Sequence, residues 1–289
     1  MISVLIIGKG PAGISAAIYA KRTGLDVTII GKDYGALQKA DLVENYYGFI
    51  QPIKGTDLIE NGIRQAERLG ITVMNEEVVS ITYNEDYIVK TDRNEYTAKS
   101  VIFATGSPRQ VPNIKGIREF EGKGISYCAV CDSFFYRQKN VAVLGCCDYA
   151  MNEARELLNV AASVTILTNG MEPQGTIPSD AQIIRQKVAA ISGNDHVEKV
   201  LFEDGTSLDT NGLFVAYGVA GSSDFARKLG IAMQNNKIIV DQAMATNLPG
   251  LFAAGDCVGG IYQIAKAVND GSVAGMSASR YVRKLSVIK

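Results

Sequence analysis

The chain has 289 residues and a formal net charge of −1, with 47% hydrophobic and 20% charged residues. This length predicts two ordinary domains, and the balanced charge argues against nucleic acid as a main partner. No run approaches the roughly 18 apolar residues of a membrane span, and the short apolar start does not fit a secretory signal. We therefore expect a cytoplasmic protein with no membrane partner, whose five cysteines serve chemistry.

The first thirty residues predict a strand, a glycine turn, a helix and a second strand, in the order ISVLII, GKGPAG, AGISAAIYAKR and LDVTII. This order is typical of a dinucleotide-binding turn. Gly8 permits the tight turn, Gly10 lets a pyrophosphate approach the backbone, and Gly13 lets the helix pack on the strand. A turn that is glycine-rich only for packing is the alternative. Asp33, just past the second strand, could meet a ribose hydroxyl or be solvated.

Alternating β-type patterns fill residues 70–106, and a linker rich in proline and glycine follows. A second strand, turn and helix begin at Asn140, and the chain ends in a predicted strand, turn and long helix. We therefore predict an α/β fold with a discontinuous first domain, 1–112 and 243–289, and an inserted domain, 113–242.

The inserted domain carries a CxxC motif, Cys128 and Cys131, followed by Asp132. Two thiols at this spacing can form a redox-active disulfide. A zinc half-site and two inert cysteines are the alternatives. Zinc needs about four ligands, and the chain has one histidine, His196, and no second CxxC, so we expect no metal. Asp132 is the nearest candidate proton donor for a leaving thiolate, unless it only caps a helix.

Five motifs occur in an order that resembles a known family: GKGPAG, VENYYGF, ATG, CAVCD and GLFAAGDC. Together they resemble the low-molecular-weight thioredoxin reductases over nearly the whole chain. This resemblance implies two Rossmann-like (three-layer β/β/α) domains, with FAD bound by the discontinuous one and the dithiol carried by the inserted one. It also implies thioredoxin as the partner that is reduced, and a homodimer.

The resemblance also assigns site residues by position. Asn45, Thr105 and Gly106 would lie near the flavin, and Val78 would meet the adenine. Cys131 would be the thiol next to the flavin, and Cys128 would attack the thioredoxin disulfide. The complete set of implied FAD contacts is Gly8, Gly10, Pro11, Ala12, Gly13, Asn45, Val78, Thr105, Gly106, Gly255, Asp256, Gln263, Ile264 and Ala265.

The second nucleotide turn departs from the family pattern. A pyrophosphate needs glycine where this chain has Cys147, whose side chain would fill the space, and the following Asp148 adds negative charge. No Arg or Lys lies between Arg155 and Arg185 to hold the 2′-phosphate of NADPH. Losing two or three such contacts, at about 1.5–3 kcal/mol each, would weaken binding by several decades.

The end of the next strand and the pair of adjacent cysteines also bear on this site. A switch to NADH is not supported, because Thr168 and Asn169 stand where a carboxylate is usual. Cys146 and Cys147 could be a second redox pair, but adjacent cysteines rarely bridge each other. We therefore interpret both as small core residues.

Without a nicotinamide site, the pattern is similar to the ferredoxin-dependent flavin thioredoxin reductases, which implies reduced ferredoxin as the electron donor. An NADPH-dependent reductase with a divergent site, a diflavin-linked disulfide oxidoreductase and a flavoprotein redox sensor are the alternatives. Ferredoxins are acidic, so Lys21–Arg22 and the tail RYVRK are candidates for a docking face, although such runs are commonly just solvated.

Overall fold

The computed structural model describes residues 1–106, 112–127, 129–218 and 222–287. Within these ranges no helix is both long and apolar enough to cross a membrane. The α-helices are α1 Pro11–Lys21, α2 Gly55–Arg68, α3 Ala129–Asp132, α4 Asp148–Leu158, α5 Ser222–Leu229 and α6 Ile264–Val287.

The strands lie before and between these helices, and the predicted strand–turn–helix order is present at the start of the chain and at Asn140. They are β1 Ile2–Ile7, β2 Val27–Ile30, β3 Thr72–Met74, β4 Val78–Asn84, β5 Asp86–Thr91, β6 Glu95–Phe103, β7 Ile125–Ser126, β8 Asn140–Leu144, β9 Ser163–Leu167, β10 Gln182–Ile184, β11 Val188–Ser192, β12 Lys199–Phe202, β13 Ser207–Asp209, β14 Gly212–Val215, β15 Met233–Gln234, β16 Lys237–Ile238 and β17 Leu251–Ala253.

The chain forms two compact units, Met1–Pro108 with Gly221–Lys289, and Arg109–Ala220. The chain rejoins the first unit earlier than the residue 243 expected from the sequence. The earlier return is explained by α5. Its Phe225 is buried and stacks on Phe103 of β6 with ring centroids 6.0 Å apart. This stacking makes α5 part of the first unit's core.

The first unit is built on a sheet with strand order β3-β2-β1-β6-β5-β4, with β17 also paired to β6. Strands β1, β2, β3, β6 and β17 pair in parallel, and β5 and β4 extend the same sheet beyond β6 by antiparallel pairing. Strands β2 and β17 and the second half of β6 are fully buried, as is typical of parallel strands covered on both faces. The register places Ile7, Phe103 and Ala253 side by side. The turns that follow β1, β6 and β17 therefore meet at one edge of the sheet.

The second unit repeats this plan. Its five strands are all parallel, in the order β10-β9-β8-β14-β7, and β11-β12-β13 form a separate antiparallel sheet. The register aligns Leu144, Leu167 and Val215, so the turns after β8, β9 and β14 also share one edge. The predicted α/β fold with two Rossmann-like units is confirmed.

Helices α1 and α6 pack with their backbones in contact. A Cβ atom on Gly271 would lie 2.1 Å from the carbonyl oxygen of Ala12, and one on Gly275 would lie 2.3 Å from that of Ala16. Ser15 Oγ also donates a hydrogen bond to the carbonyl of Val268 at 2.7 Å. This contact joins the two segments of the first unit, which are distant in sequence.

The α1–α6 contact generates a stability prediction for Gly275→Ala. The new methyl group would have to push α6 away from α1, so we expect the free energy of unfolding to fall by about 1–3 kcal/mol. The measurement is urea unfolding of the purified protein followed by circular dichroism.

Gly62→Ala is the matched control, because a Cβ there would meet Ile14 at 3.4 Å, an ordinary contact distance. It should be neutral or stabilising by up to about 1 kcal/mol through helix propensity. Equal unfolding midpoints for the two variants would contradict the close-packing interpretation.

Candidate active site

The glycine turn after β1 forms a cradle with one open side. Gly8 has φ +113°, and a Cβ atom there would lie 2.1 Å from the carbonyl oxygen of Ala104. A Cβ on Gly13 would lie 1.9 Å from the oxygen of Gly8, whereas one on Gly10 would meet no atom within 4 Å. The backbone at Gly10 therefore faces open space at the N-terminus of α1, which carries no acidic residue in its first turn. This geometry suits a pyrophosphate.

The turn after β17 completes the same edge of the sheet. Gly255 has φ +82°, and a Cβ atom there would lie 2.9 Å from that of Ala12. Lys266 on α6 donates to the carbonyl of Gly255 at 2.8 Å and pairs with Asp270 at 2.7 Å. Asp270 in turn accepts the Gly255 N–H at 3.1 Å. The loop that carries Asp256 is thus held rigidly beside the glycine turn.

These turns enclose a cleft of about 370 Å³. Asn45 lies outside the lining but donates to Gln263 Oε1 at 2.9 Å. Val78 is buried at the start of β4, and Ala265 is exposed in the first turn of α6. The residues assigned to FAD from the sequence that line the cleft are Gly8, Gly10, Pro11, Ala12, Thr105, Gly106, Gly255, Asp256, Gln263 and Ile264.

Lys9 lies in the floor of the cleft and was missed by the sequence analysis. It is only 4% exposed, its ammonium donates to Asn75 Oδ1, and it lies 5.0 Å from the ring centroid of Tyr34. Burial lowers the pKa of Lys9, and the charge of Asp33 opposes that shift. A charged residue between Gly8 and Gly10, inside an otherwise small-residue turn, was the available signal.

The second unit carries the dithiol motif. Cys131 is disulfide-bonded and exposed in α3, while Cys128 lies outside the described residues. Asp132 accepts a hydrogen bond from Ser126 Oγ at 2.7 Å. This bond orients the carboxylate that directly follows Cys131. Burial, and to a lesser degree the charge of Asp132, raise the pKa of Tyr136.

A buried carboxylate on α4 forms a hydrogen bond with the backbone of the dithiol segment. Glu153 on α4 is 1% exposed, and its Oε2 accepts the backbone N–H of Ala129 at 2.8 Å. Ala129 is the first residue of α3, so this bond holds the start of the dithiol helix. Nothing in the local pattern around Glu153 predicted this contact, because it joins residues 24 apart in the chain.

The turn after β8 keeps the glycine geometry only at its first position. A Cβ on Gly145 would lie 2.1 Å from the carbonyl oxygen of Ala216, so glycine is required there. Cys146 is buried, as predicted, but Cys147 is half-exposed at the N-cap of α4 and is not a core residue. The N-cap position explains this difference, because it lies at the carboxyl edge of the sheet rather than inside it.

A loop of the chain itself covers this turn. The N–H of Gln174 donates to the carbonyl of Cys146 at 2.6 Å, and a Cβ on Gly175 would lie 1.9 Å from Asp148 Oδ1. The guanidinium of Arg155 donates to the carbonyl of Thr176. Residues 174–176 therefore lie against the turn and Asp148, beside the helix N-terminus at which a nucleotide-binding unit of this kind holds a pyrophosphate.

Comparison with known proteins relates this geometry to a family. The pattern of the family described as pyridine nucleotide-disulphide oxidoreductase matches residues 2–271. A thioredoxin reductase of Ureaplasma parvum serovar 3 is 34% identical over 302 residues, which cover 97% of each chain.

Solved structures of similar proteins give the same result. The atypical thioredoxin reductase TRi of Desulfovibrio vulgaris Hildenborough has a TM-score of 0.92 at 37% identity, with 98% of this chain and 99% of that chain covered. A ferredoxin-flavin thioredoxin reductase of Clostridium acetobutylicum has a TM-score of 0.74 at 33% identity, with 99% and 98% covered. The resemblance inferred from the five motifs is confirmed.

The contact of Glu153 with Ala129 generates a second prediction. Glu153→Ala would leave the buried Ala129 N–H without its acceptor and open a cavity, so we expect stability to fall by about 1–3 kcal/mol. Glu153→Gln keeps an acceptor oxygen and should recover most of that loss. Denaturant unfolding of the three proteins measures the difference.

The control is Glu156→Ala, which removes an exposed carboxylate one turn further along α4. Its effect should stay within about 0.5 kcal/mol. If Glu156→Ala cost as much as Glu153→Ala, the buried hydrogen bond would not be the cause.

Proposed function

The chain belongs to the pyridine nucleotide-disulphide oxidoreductase family and is similar to a thioredoxin reductase over 97% of its length. From this premise, we propose that it reduces oxidised thioredoxin with electrons from reduced ferredoxin. The observation that carries the choice of donor is the loop 174–176 over the second nucleotide turn. The family resemblance further supports action as a homodimer in the cytoplasm.

The cofactor of this family is FAD, and the cleft of the first unit fits it. Gly10 and the N-terminus of α1 would hold the pyrophosphate, with Lys9 adding a positive charge nearby. Asp256 and Gln263 would complete the site from the C-terminal segment. Bound FAD supplies the chemistry that accepts single electrons from an iron–sulfur protein and delivers pairs to a disulfide.

Contacts in the second unit support an electron donor other than NADPH. Gln174 and Gly175 take up the space next to Cys146 and Asp148. Arg155 donates to a loop carbonyl, and Arg185 pairs with Glu172 at 3.5 Å. These two arginines are thus engaged by the chain itself, which supports a donor that does not bind here.

The dithiol performs the reduction by two exchange steps. The Cys128 thiolate attacks one sulfur of oxidised thioredoxin, which forms a mixed disulfide and releases the other sulfur as a thiolate. Cys131 then attacks Cys128, which re-forms the Cys128–Cys131 disulfide and releases reduced thioredoxin with both its cysteines as thiols. Asp132 would deliver the proton to the leaving thiolate, because its carboxyl group directly follows Cys131.

The proposed direction of electron flow is downhill. A plant-type ferredoxin near about −400 mV and thioredoxin near about −270 mV differ by about 130 mV, which releases roughly 6 kcal/mol for two electrons. No energetic input beyond the reduced ferredoxin is therefore needed.

The structure brings the two candidate basic segments together. The guanidinium of Arg283 in the C-terminal helix donates to the carbonyl of Thr23, directly after Lys21 and Arg22 at the end of α1. Arg22 also lines a cavity of about 630 Å³ that shares Gly10 and other residues with the FAD cleft. A basic surface beside the cofactor cleft supports docking of an acidic electron carrier.

The test of the donor is anaerobic. The purified flavoprotein with thioredoxin is supplied in turn with NADPH, NADH and reduced ferredoxin, and thiol formation and flavin absorbance are followed. We expect turnover with ferredoxin only. In Cys128→Ser, ferredoxin should still bleach the flavin while thioredoxin reduction is abolished.

Prompt bleaching of the flavin by micromolar NADPH would overturn the choice of donor and leave the NADPH-dependent alternative. Two flavins per chain would instead favour the diflavin-linked alternative. Full thioredoxin reduction by Cys128→Ser would exclude the assigned role of the dithiol.

The basic surface gives a separate prediction. Arg22→Gln should raise the KM for ferredoxin about two- to fivefold at low ionic strength, because one attractive charge is lost. The effect should vanish at high salt. Initial rates at two salt concentrations measure it.

Lys90→Gln removes an equal charge from a strand of the same unit, where Lys90 pairs with Glu95 at 3.4 Å. Its KM for ferredoxin should match that of the unchanged protein. The same increase in both variants would argue for a general charge effect without a docking face.

A further inference from the structure

Three sulfur atoms converge at the covered turn of the second unit. The Sγ atoms of Cys146 and Cys147 lie 3.8 Å apart, and Cys146 Sγ lies 3.8 Å from Met171 Sδ. Both cysteines are thiols. Neither the thioredoxin reduction proposed above nor the disulfide of Cys131 uses these three side chains.

The backbone holds these sulfurs in place from two sides. Thr168–Met171 form a tight turn in which the Met171 N–H bonds the carbonyl of Thr168 at 3.1 Å, with Asn169 and Gly170 both at positive φ. The Gln174 N–H bonds the carbonyl of Cys146. The backbone around Met171 is therefore held on both sides of the residue, and its Sδ atom contacts Cys146 Sγ.

The spacing matches the edges of a metal polyhedron. For a metal–sulfur bond of about 2.3 Å, two sulfurs 3.8 Å apart subtend an angle of about 111° at the metal. This value lies between tetrahedral and trigonal geometry. The two measured separations, Cys146–Cys147 and Cys146–Met171, thus both suit sulfur ligands of one ion.

We propose that Cys146, Cys147 and Met171 form a binding site for one Cu(I) ion. Thiolate and thioether sulfur select this soft monovalent ion. Zinc uses about four ligands, drawn from cysteine, histidine and carboxylate, and no cluster of three or more of His, Cys, Asp and Glu suited to a metal exists in the described parts of the chain. The Met171 thioether is therefore the ligand that favours Cu(I) over zinc at this site.

The site is accessible and its chemistry balances. Cys147 and Met171 are half-exposed, so an ion can enter from solvent. Binding converts two thiols to thiolates, releases two protons to the buffer and leaves copper as Cu(I), with no electron transferred. The N-terminus of α4, where Cys147 is the N-cap, favours the negative charge that results.

The test is an anaerobic titration of the oxidised holoprotein with Cu(I), in competition with a chromophoric Cu(I) chelator. Oxidised protein is used so that the disulfide at Cys131 does not compete as a dithiol. We expect one Cu(I) per chain and release of two protons. Cys147→Ser should lose at least 100-fold in affinity while keeping its fold, because serine is a preferred N-cap residue.

Met171→Leu should bind Cu(I) about tenfold more weakly, because leucine keeps the volume but removes the sulfur ligand. Met151→Leu on α4 is the matched control and should bind as the unchanged protein does. Unchanged affinity in Cys147→Ser or in Met171→Leu would overturn the three-sulfur site, and so would displacement of Cu(I) by an equal amount of Zn(II).

Discussion

The backbone contact between α1 and α6 is the constraint on which the first unit depends. Gly271 and Gly275 let α6 approach the carbonyl oxygens of Ala12 and Ala16. That approach brings the C-terminal segment to the N-terminus of α1, although the two are far apart in sequence. Because the cofactor cleft is lined by both segments, any side chain that separates these helices would open the cleft as well as the core.

The second unit keeps a nucleotide-type fold although its turn after β8 departs from the glycine pattern. Gly145 is required by its contact with Ala216, whatever the turn binds. Helix α4 presents Glu153 to the backbone of Ala129, where the dithiol segment begins. The scaffold thus holds the start of the CxxC segment, a structural task that places no demand for glycine on Cys147.

The sequence predicted what depends on local pattern and failed where distant segments meet. The apolar strands and the turn at Gly8 follow from periodicity and glycine spacing, and the fold class was confirmed. The position of Lys9 depends on Asn75, which is 66 residues away. The return of the chain to the first unit was expected too late, because α5 has a short pattern and its place is decided by the stacking of Phe225 on Phe103.

The contacts of residues 174–176 with the turn after β8 and the position of the sulfur cluster have one structural origin. A phosphate-binding turn keeps its loop away from the helix N-terminus so that the ligand can enter. Here the loop returns, and the bond from Gln174 to Cys146 that closes it also places Met171 near the thiols. The thioether itself forms no part of the closure, since the covering contacts come from residues 174–176. The contacts that we propose exclude a nucleotide are therefore separable from the thioether that we propose binds a soft metal.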